Sequence, residues 1–399
     1  MKPQRIKYAI VLPDGAADEP VDQLNGRTPL EAARTPNINW ISTNGRQGRV
    51  VTVPDGFAPA SDVATLTLLG YDPTTDYDGR APLEATAQGI RAGADELIFR
   101  CNFVTISDGI MQDFTAGHIS QRESDQLIAA LNEQLGDERC RFHAGVSYRN
   151  LMIASDLRGN NLMCKPPHDF PDQPIKQHLP KGPGAEWLHA VMERARAILT
   201  EHDVNLVRRD LNENAATDIW LWGQGRQKAL QPFRDRFGVS GAVIAAVDLI
   251  RGIARTVAMH LIDVPGATGY LDTDYNAKGA AAVKALDDFD LVVVHVEAPD
   301  EAGHLGDVAA KIEAIERIDQ AIVGPLLEAL RTNERWKILV APDHPTPVNR
   351  RIHTTTPPPF CVAGHAVQTV LSQPFSERVA QDSDLQIAPG HELMEYFLH

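Results

Sequence analysis

The chain has 399 residues, 43 % of them hydrophobic, and a formal net charge of −15 at pH 7. That length is sufficient for two domains with a large core. An acidic chain without a basic patch is not expected to bind nucleic acid or an anionic membrane surface. No apolar run approaches the ~20 residues that span a bilayer, and the four cysteines lack CxxC spacing. These features predict a cytoplasmic protein with free thiols.

The first elements in chain order are a strand at residues 7–12, a helix at 36–43 and a helix that follows Ser61. A second block then alternates strands and helices around a proline-rich stretch at residues 164–184. Its predicted strands are 96–109, 147–155 and 218–225, and its predicted helices are 120–135 and 185–202. From residue 241 onward strands and helices alternate again, with strands at 290–298 and 337–343 and a helix at 307–330.

This order predicts a discontinuous first domain, residues 1–90 and 226–399, interrupted by a smaller α/β domain at 91–225. Strands that alternate with helices favour a mostly parallel sheet flanked by helices. The predicted fold class is therefore α/β.

Metal-ligand side chains occur in three short clusters of the C-terminal half. The string APDEAGH contains Asp300 and His304, APDHP contains Asp343 and His344, and RRIHTTTPPPF contains His353. Two of these clusters directly follow buried-strand patterns, where α/β sheets commonly place their sites. Carboxylate and imidazole donors together suit Mn²⁺, Zn²⁺ or Co²⁺, and suit Mg²⁺ less well.

Two local conformations are expected around these clusters. Gly303, between the first aspartate and histidine, favours a loop or a helix start. The stretch TTTPPPF is not expected to continue a helix or a central strand, so we expect a fixed extended segment over the site.

The N-terminal part adds Asp14 and Ser61. Asp14 ends the apolar run of KYAIVLPDG, so it is a further strand-end carboxylate. Ser61 precedes an apolar helical pattern in PASDVATLTLLGYDP, where a serine is often only a helix N-cap. Beside a metal ion the same hydroxyl can become a nucleophile. The residues alone leave both interpretations open.

Several longer strings carry a family resemblance. They are LPDGAADEP, RTPLEAARTPNI, VPDGFAPASDVATLTLLGYDP, GRAPLEA, VPGATGYLDT, HVEAPDEAGH and the pair APDH and HTTTPPPF. Together they are similar to the archaeal-type cofactor-independent phosphoglycerate mutases, which belong to the alkaline phosphatase superfamily. The resemblance covers nearly the whole chain.

The resemblance implies an alkaline-phosphatase-like fold, two divalent metal ions and a transiently phosphorylated serine. It implies that Ser61 is the nucleophile of an isomerase that interconverts 3-phosphoglycerate and 2-phosphoglycerate. One ion would be held by Asp14, Ser61, Asp343 and His344, and the other by Asp300, His304 and His353. Manganese is the expected metal, with zinc, cobalt or magnesium as alternatives.

The predicted insert is where we expect contacts to a small phosphorylated acid. Polar side chains near its predicted strand ends and turns are Arg100, His118, Arg149, His168 and Asp169. The resemblance favours His118 and Arg149, because the family binds the substrate carboxylate and phosphate with histidine and arginine residues of the insert.

Two other functions are compatible with the same residues. One is a different phosphotransferase, such as a homoserine kinase, or a phosphatase on the same two-metal scaffold. The other is a non-catalytic metal-binding module, which would have no need of the Ser61 nucleophile. The sequence does not decide the oligomeric state.

Overall fold

A computed structural model describes residues 6–157 and 161–399. These residues form two compact units, one of residues 6–77 and 230–399 and the other of residues 78–157 and 161–229. The predicted insert, 91–225, lies within the second range. Among the described residues, no helix is both long enough and apolar enough to cross a membrane.

The strands of the described residues are β1 (Lys7–Pro13), β2 (Arg46–Val50), β3 (Leu97–Ser107), β4 (Ile110–Asp113), β5 (Cys140–Val146), β6 (Arg149–Ala154), β7 (Asp218–Gly225), β8 (Gly241–Ile244), β9 (His260–Leu261), β10 (Leu291–Val296), β11 (Trp336–Val340), β12 (Pro359–Gly364) and β13 (Gln386–Ile387).

The α-helices are α1 (Pro29–Ala32), α2 (Pro36–Asn44), α3 (Ser61–Leu68), α4 (Pro73–Asp76), α5 (Arg80–Ala87), α6 (Gln121–Leu135), α7 (Ala185–Glu201), α8 (Asp203–Asp210), α9 (Phe233–Phe237), α10 (Asp248–Thr256), α11 (Tyr275–Asp288), α12 (Ala298–Leu305), α13 (Val308–Ile318), α14 (Gly324–Arg331), α15 (Glu377–Asp382) and α16 (Glu392–Leu398).

The first unit is built on an eight-stranded sheet in the order β13-β2-β12-β11-β1-β10-β8-β9. Strands β11, β1, β10, β8 and β9 run parallel, whereas β12 is antiparallel to both of its neighbours. Strand β1 is buried on both faces: Val11 packs into a core with α2, α11 and α13, and Tyr8 on the other face packs edge-on against Phe397 of α16. The predicted α/β class with a mostly parallel sheet is confirmed.

The second unit contains an antiparallel sheet in the order β4-β3-β6-β5, with β7 also paired to β3. Its core combines this sheet with α6 and α7 and includes the fully buried side chains of Phe103 and Trp220. The sequence patterns missed β4, β5 and α8, which are short or only half apolar.

Two predictions about the first unit need correction. The stretch TTTPPPF was expected to stay outside central strands, but its Pro359 is the first residue of β12, which pairs with β11 on one side and β2 on the other. This is tolerated because the proline stands at the first strand position. The predicted helix at 307–330 is interrupted by a π-helical turn at Asp319–Val323, whose Asp319 carboxylate accepts the main-chain N–H of Ile38 at 2.7 Å in α2.

A buried ion pair fixes the loop that follows β1. The ammonium of Lys311 in α13 is 2.7 Å from the Asp18 carboxylate, and neither side chain is exposed to solvent. The same ammonium donates to the main-chain oxygens of Ala17 at 3.3 Å and Thr346 at 2.8 Å. Lys311 therefore joins α13 to the loops after β1 and β11.

Replacing Asp18 by alanine is expected to lower the free energy of unfolding by about 3–5 kcal/mol, because it leaves a buried ammonium without its counter-ion. Asp384→Ala is the matched control. It breaks a 2.7 Å pair with Arg46 in which the carboxylate side chain is 71 % exposed, so its loss should be about 1 kcal/mol or less. Urea denaturation followed by tryptophan fluorescence measures both; equal losses would contradict the role of Lys311.

Candidate metal centre and associated side chains

The parallel strands bring three buried aspartates to one edge of the first unit's sheet. Asp14 follows β1 directly, Asp300 lies in α12 just after β10, and Asp343 lies just after β11. Each is at most 4 % exposed. Burial, followed by the neighbouring Asp343 and Glu297 carboxylates, raises the pKa of Asp14 well above its usual value. Three carboxylates therefore lie close together at this edge of the sheet, where water does not screen their charges.

The first donor group consists of Asp300, His304 and His353. The Nε2 atoms of the two histidines lie 2.9 Å apart, and each is within 3.3 Å of an Asp300 carboxylate oxygen. Their Nδ1 atoms face main-chain oxygens, of Arg351 at 3.0 Å and Pro59 at 3.2 Å. A carbonyl oxygen only accepts, so each Nδ1 carries a hydrogen, and each Nε2 is the atom that can give up its proton and offer a lone pair to a cation. Two lone pairs and a carboxylate that converge in this way fit a cation.

The pKa values of this group are consistent with a need for positive charge. Burial alone would raise the pKa of Asp300, but hydrogen bonds from His304 and His353 hold it well below its usual value. The same carboxylate raises the pKa of His304 to about 9. Protons on the histidines thus supply the positive charge beside Asp300 that a divalent cation would supply when bound.

The second donor group consists of Asp14, Asp343 and His344, all fully buried. Nε2 of His344 is 3.5 Å from an oxygen of each aspartate. The other oxygen of Asp343 accepts the main-chain N–H of Gly15 at 3.0 Å and that of His344 at 2.9 Å, which fixes the carboxylate. Its Oδ2 has no hydrogen-bond partner among the described residues, so it is available to a cation.

Ser61 belongs to this second group. Its Oγ lies 3.1 Å from Nε2 of His344 and 3.5 Å from Oδ1 of Asp14. The N-cap of α3 is Ala60, and Ser61 is the first helical residue. The N-cap interpretation of Ser61 is therefore wrong, and the hydroxyl faces the buried ligands.

Thr346 connects the two groups, and the sequence reasoning missed it. Its hydroxyl donates to Oδ1 of Asp300 and lies 3.3 Å from Nδ1 of His344. Because Nε2 of His344 faces the ligand cluster, its Nδ1 is the atom that carries hydrogen and donates to Thr346. The imidazole rings of His344 and His353 are also adjacent, with centroids 4.0 Å apart.

Two glycines allow the main chain to approach this closely. A Cβ on Gly15, whose φ is +61°, would lie 2.5 Å from the Asp300 carboxylate, and one on Gly303 would lie 2.4 Å from the main-chain oxygen of Thr346. The expectation of a loop or a helix start at Gly303 is wrong, because α12 runs from Ala298 through His304. The helix persists because its glycine packs directly on the Thr346 loop.

Sequence reasoning also missed His295 and Glu297. Both stand in the string DLVVVHVEAPD just before Asp300, but the histidine lies within an apolar strand pattern and was not considered as a ligand. In the structure, one donor atom from each lies with an Asp14 oxygen in a third group.

In the second unit, two of the predicted substrate residues contact Trp222. The Arg100 guanidinium lies 4.3 Å over the Trp222 ring and 3.0 Å from the Glu84 carboxylate, and the His168 ring packs edge-on against the same tryptophan. Burial lowers the pKa of Arg100 to about 10; Glu84 opposes this effect, and the charges of Arg80 and Arg149 add to it. Nε1 of Trp222 is buried without a hydrogen-bond partner among the described residues.

The other predicted residues are arranged around Tyr148. His118 lies with its ring 6.2 Å from Tyr148, and the Arg149 guanidinium lies 5.7 Å over the same ring. His118 has a φ of +49°, a left-handed conformation that a non-glycine residue adopts only when its surroundings hold it. Asp169 is about half exposed and 3.8 Å from His168. Arg149 in β6 pairs in register with Asn102 in β3, two residues from Arg100, so the two arginines form one positive region of this unit.

Comparison with known proteins gives the family. A family model described as 2,3-bisphosphoglycerate-independent phosphoglycerate mutase matches residues 42–205. A protein of that name from Methanothrix thermoacetophila is 46 % identical over 394 residues, which cover 98 % of this chain and 100 % of the relative. The chain belongs to this family. The resemblance found in the sequence is thereby confirmed.

Two solved structures are similar to this mutase-family chain. The PH0037 protein from Pyrococcus horikoshii has a TM-score of 0.82 at 29 % identity and covers 99 % of this chain and 97 % of its own. The cofactor-independent phosphoglycerate mutase from Thermoplasma acidophilum has a TM-score of 0.67 at 26 % identity, with coverage of 98 % and 99 %. The donor groups of the chain described above support the binding of divalent metal.

Replacing Thr346 by valine is expected to weaken Mn²⁺ binding by about 10- to 100-fold, because the hydroxyl that orients Asp300 and His344 is lost while the side-chain shape is kept. Thr346→Ser retains the hydroxyl and should restore binding. Thr65→Val is the control, since Thr65 is buried in α3 and its hydroxyl has no partner among the described residues. Calorimetric titration of the metal-free protein measures all three; unchanged affinity in Thr346→Val would contradict the connection.

Proposed function

We propose that this protein is an isomerase that interconverts 3-phosphoglycerate and 2-phosphoglycerate without 2,3-bisphosphoglycerate, through a phosphorylated Ser61. The observation that carries the proposal is the Ser61 hydroxyl, 3.1 Å from His344 and 3.5 Å from Asp14, in a chain that matches mutases along its length. A module that only binds metal has no use for a hydroxyl in that position.

Two divalent ions are proposed for the first unit. Asp300, His304 and His353 would hold one, and Asp14, Ser61, Asp343 and His344 would hold the other. The mixed oxygen and nitrogen donors favour Mn²⁺, with Zn²⁺ or Co²⁺ next and Mg²⁺ last. Such ions, when bound, lower the pKa of a serine hydroxyl and neutralise charge on phosphoryl oxygens.

The protein's own residues then carry the transfer. Ser61 Oγ loses its proton and forms a bond to phosphorus while the bond from phosphorus to the 3-oxygen of glycerate breaks, and that oxygen takes up a proton. In the second half the 2-hydroxyl of the glycerate loses its proton and forms a bond to phosphorus while the bond from phosphorus to Ser61 Oγ breaks, and Ser61 Oγ takes up a proton. No proton or phosphate is gained or lost overall.

The positive region of the second unit is proposed to hold the substrate's phosphate and carboxylate. Arg100 is buried beside Trp222 and Arg149 is exposed, and bidentate arginine contacts suit both anionic groups. His118, His168 and Asp169 complete the proposed set. These residues are proposed to retain the glycerate between the two half-reactions, which is what distinguishes transfer from hydrolysis.

Removal of metal by a chelator is expected to abolish mutase activity, and Mn²⁺ or Co²⁺ should restore it better than Mg²⁺, because the sites offer imidazole nitrogen. A coupled assay on 3-phosphoglycerate, with metal content measured by elemental analysis, tests this. Full activity in a sample free of metal would remove the two-ion proposal.

Ser61→Ala is expected to lower the transfer rate by roughly 10³-fold or more, because the nucleophile is gone. In the wild type, ³²P from labelled 3-phosphoglycerate should appear in 2-phosphoglycerate without passing into solution. The reaction contains no nucleotide, and homoserine with ATP is assayed in parallel.

The products distinguish the alternatives. Release of inorganic phosphate as the main product would identify a phosphatase, and strict dependence on ATP with phosphorylation of homoserine would identify a kinase. Either outcome would exclude the mutase while leaving the metal ligands in place.

A further inference from the structure

A cavity of the first unit lies next to the loops that carry the metal donors. Its volume is about 630 Å³, which is within the range of small-molecule sites. Its lining comes from the loop after β1, from α1, β2 and α15, and from the segment between His353 and β12. None of the seven donor residues, all of which the structure describes, lines it. The cavity is therefore a space separate from the metal centre.

Part of the lining is apolar and rigid. It includes Ala17 and Pro20 after β1, Pro345 after β11, and the three prolines at 357–359. Alanine and proline side chains lose no rotamer freedom when a ligand covers them. They therefore offer the apolar body of a ligand a surface with little entropic cost.

The carboxylates of the lining are largely neutralised within the protein. Three of the four form ion pairs: Asp18 with Lys311 at 2.7 Å, Glu19 with Arg350 at 2.9 Å and Glu31 with Arg378 at 3.3 Å. The fourth, Glu377, accepts hydrogen bonds from the Thr28 hydroxyl and the main-chain N–H of Asp18. Burial raises the pKa of Glu377 to about 7, so near neutral pH it carries only part of a charge.

Two arginines of the lining are not neutralised in this way. Nε of the exposed Arg27 donates to the main-chain oxygen of Leu24 at 3.3 Å, and Nε of the half-buried Arg49 donates to Oε1 of Gln386 at 3.0 Å. Within the described part of the chain, neither guanidinium forms an ion pair with a carboxylate. The lining therefore has an excess of positive charge.

An organic phosphate matches both parts of this lining. A phosphate monoester carries a charge of about −1.5 to −2 at pH 7, close to the charge of two guanidinium groups, and arginine binds phosphate oxygens through paired hydrogen bonds. A single carboxylate would balance only one of the two arginines. Inorganic phosphate would leave the apolar lining uncovered. A phosphate attached to an apolar ring system, of the size of a mononucleotide, satisfies both.

The cavity also contacts main chain that positions the metal donors. Pro345 directly follows His344 in the chain, and both Pro345 and Thr354 line the cavity. Thr354 directly follows His353, and its N–H donates to the main-chain oxygen of Pro345 at 3.0 Å. Ala17 forms a β-bridge with Pro345. A ligand that orders these lining residues therefore also orders the loops that carry the two histidines.

We propose that this cavity binds a small organic phosphate of mononucleotide size, and that its occupancy tightens metal binding at the neighbouring sheet edge. Two effects have this sign. Ordered loops lower the entropic cost of fixing the donors, and the added negative charge attracts cations. Because such linkage is reciprocal, bound Mn²⁺ tightens phosphate binding by the same factor.

Calorimetric titration with AMP, of the protein with and without bound Mn²⁺, tests the site. Wild type should bind AMP with a Kd on the order of 1 mM or below, at least about tenfold more tightly than it binds adenosine or inorganic phosphate. Arg27→Gln and Arg49→Gln should each weaken AMP binding by about tenfold or more, because a charge-assisted contact to the phosphate is removed.

Two control variants locate the bound AMP. Arg46→Gln makes the same charge change in β2 outside the lining, at an arginine paired with Asp384, and should bind AMP as wild type does. Arg149→Gln alters the positive region of the second unit and should also leave AMP binding unchanged. Circular dichroism confirms that each variant is folded.

The link to the metal centre is measured by titrating Mn²⁺ with and without saturating AMP. Wild type should bind Mn²⁺ about fivefold or more tightly with AMP present, and Arg49→Gln should show no such gain. AMP complexes of Mn²⁺ in solution are the same for both proteins, so the difference between them reports on the cavity.

AMP binding that Arg27→Gln and Arg49→Gln leave unchanged, or that Arg149→Gln removes, would overturn the site. Equal affinity for AMP and either adenosine or inorganic phosphate would overturn the assignment to an organic phosphate. Mn²⁺ affinity that AMP does not change would overturn the link to the metal centre. That link rests on the proposed ions, whereas the site does not: a protein that binds AMP but no Mn²⁺ refutes the ions and keeps the site.

Discussion

The repulsion among buried carboxylates at one edge of the parallel sheet governs the rest of this structure. Strands β1, β10 and β11 end side by side, and their continuations carry Asp14, Asp300 and Asp343 into an interior closed to solvent. Two like charges 4 Å apart in a protein repel by about 4 kcal/mol at an effective dielectric constant of 20. Such an edge is stable only with cations, whether these are protons on histidines or metal ions.

Because the carboxylates repel one another, other groups must hold them in place. Main-chain N–H groups of Gly15 and His344 fix Asp343, and the Thr346 hydroxyl fixes Asp300. Lys311 anchors the two loops from behind. Main-chain contacts and buried polar groups around the ligands therefore set the positions of the carboxylates. A functional site needs such a surrounding layer of contacts to hold its ligands in place.

The sequence was sufficient for much of the fold and for singling out the seven side chains that the structure brings together around the two candidate donor groups. Apolar runs ending in Asp, and Asp paired with His at short spacing, identify strand-end ligands because the chemistry of the residue type is visible locally. Thr346 and Lys311 were not predictable in this way, since their roles arise only when loops distant in sequence meet. His295 was missed because a histidine inside an apolar strand is indistinguishable from a core residue until its neighbours are known. The prediction at Gly303 was wrong for a related reason. The low helix propensity of glycine argues against a helix there, but packing on Thr346, which the sequence does not show, stabilises α12.

The hydroxyl of Thr346 has a consequence for how the centre fills. It touches a ligand from each of the two groups, so an ion that fixes the His344 ring also fixes the hydrogen-bond direction that Asp300 receives. In the two-ion proposal, the ion that binds first therefore also orders ligands of the other ion. Linkage of this kind is reciprocal by thermodynamic necessity. For the two proposed ions, the shared hydroxyl is thus a source of positive coupling that offsets part of the repulsion between their charges.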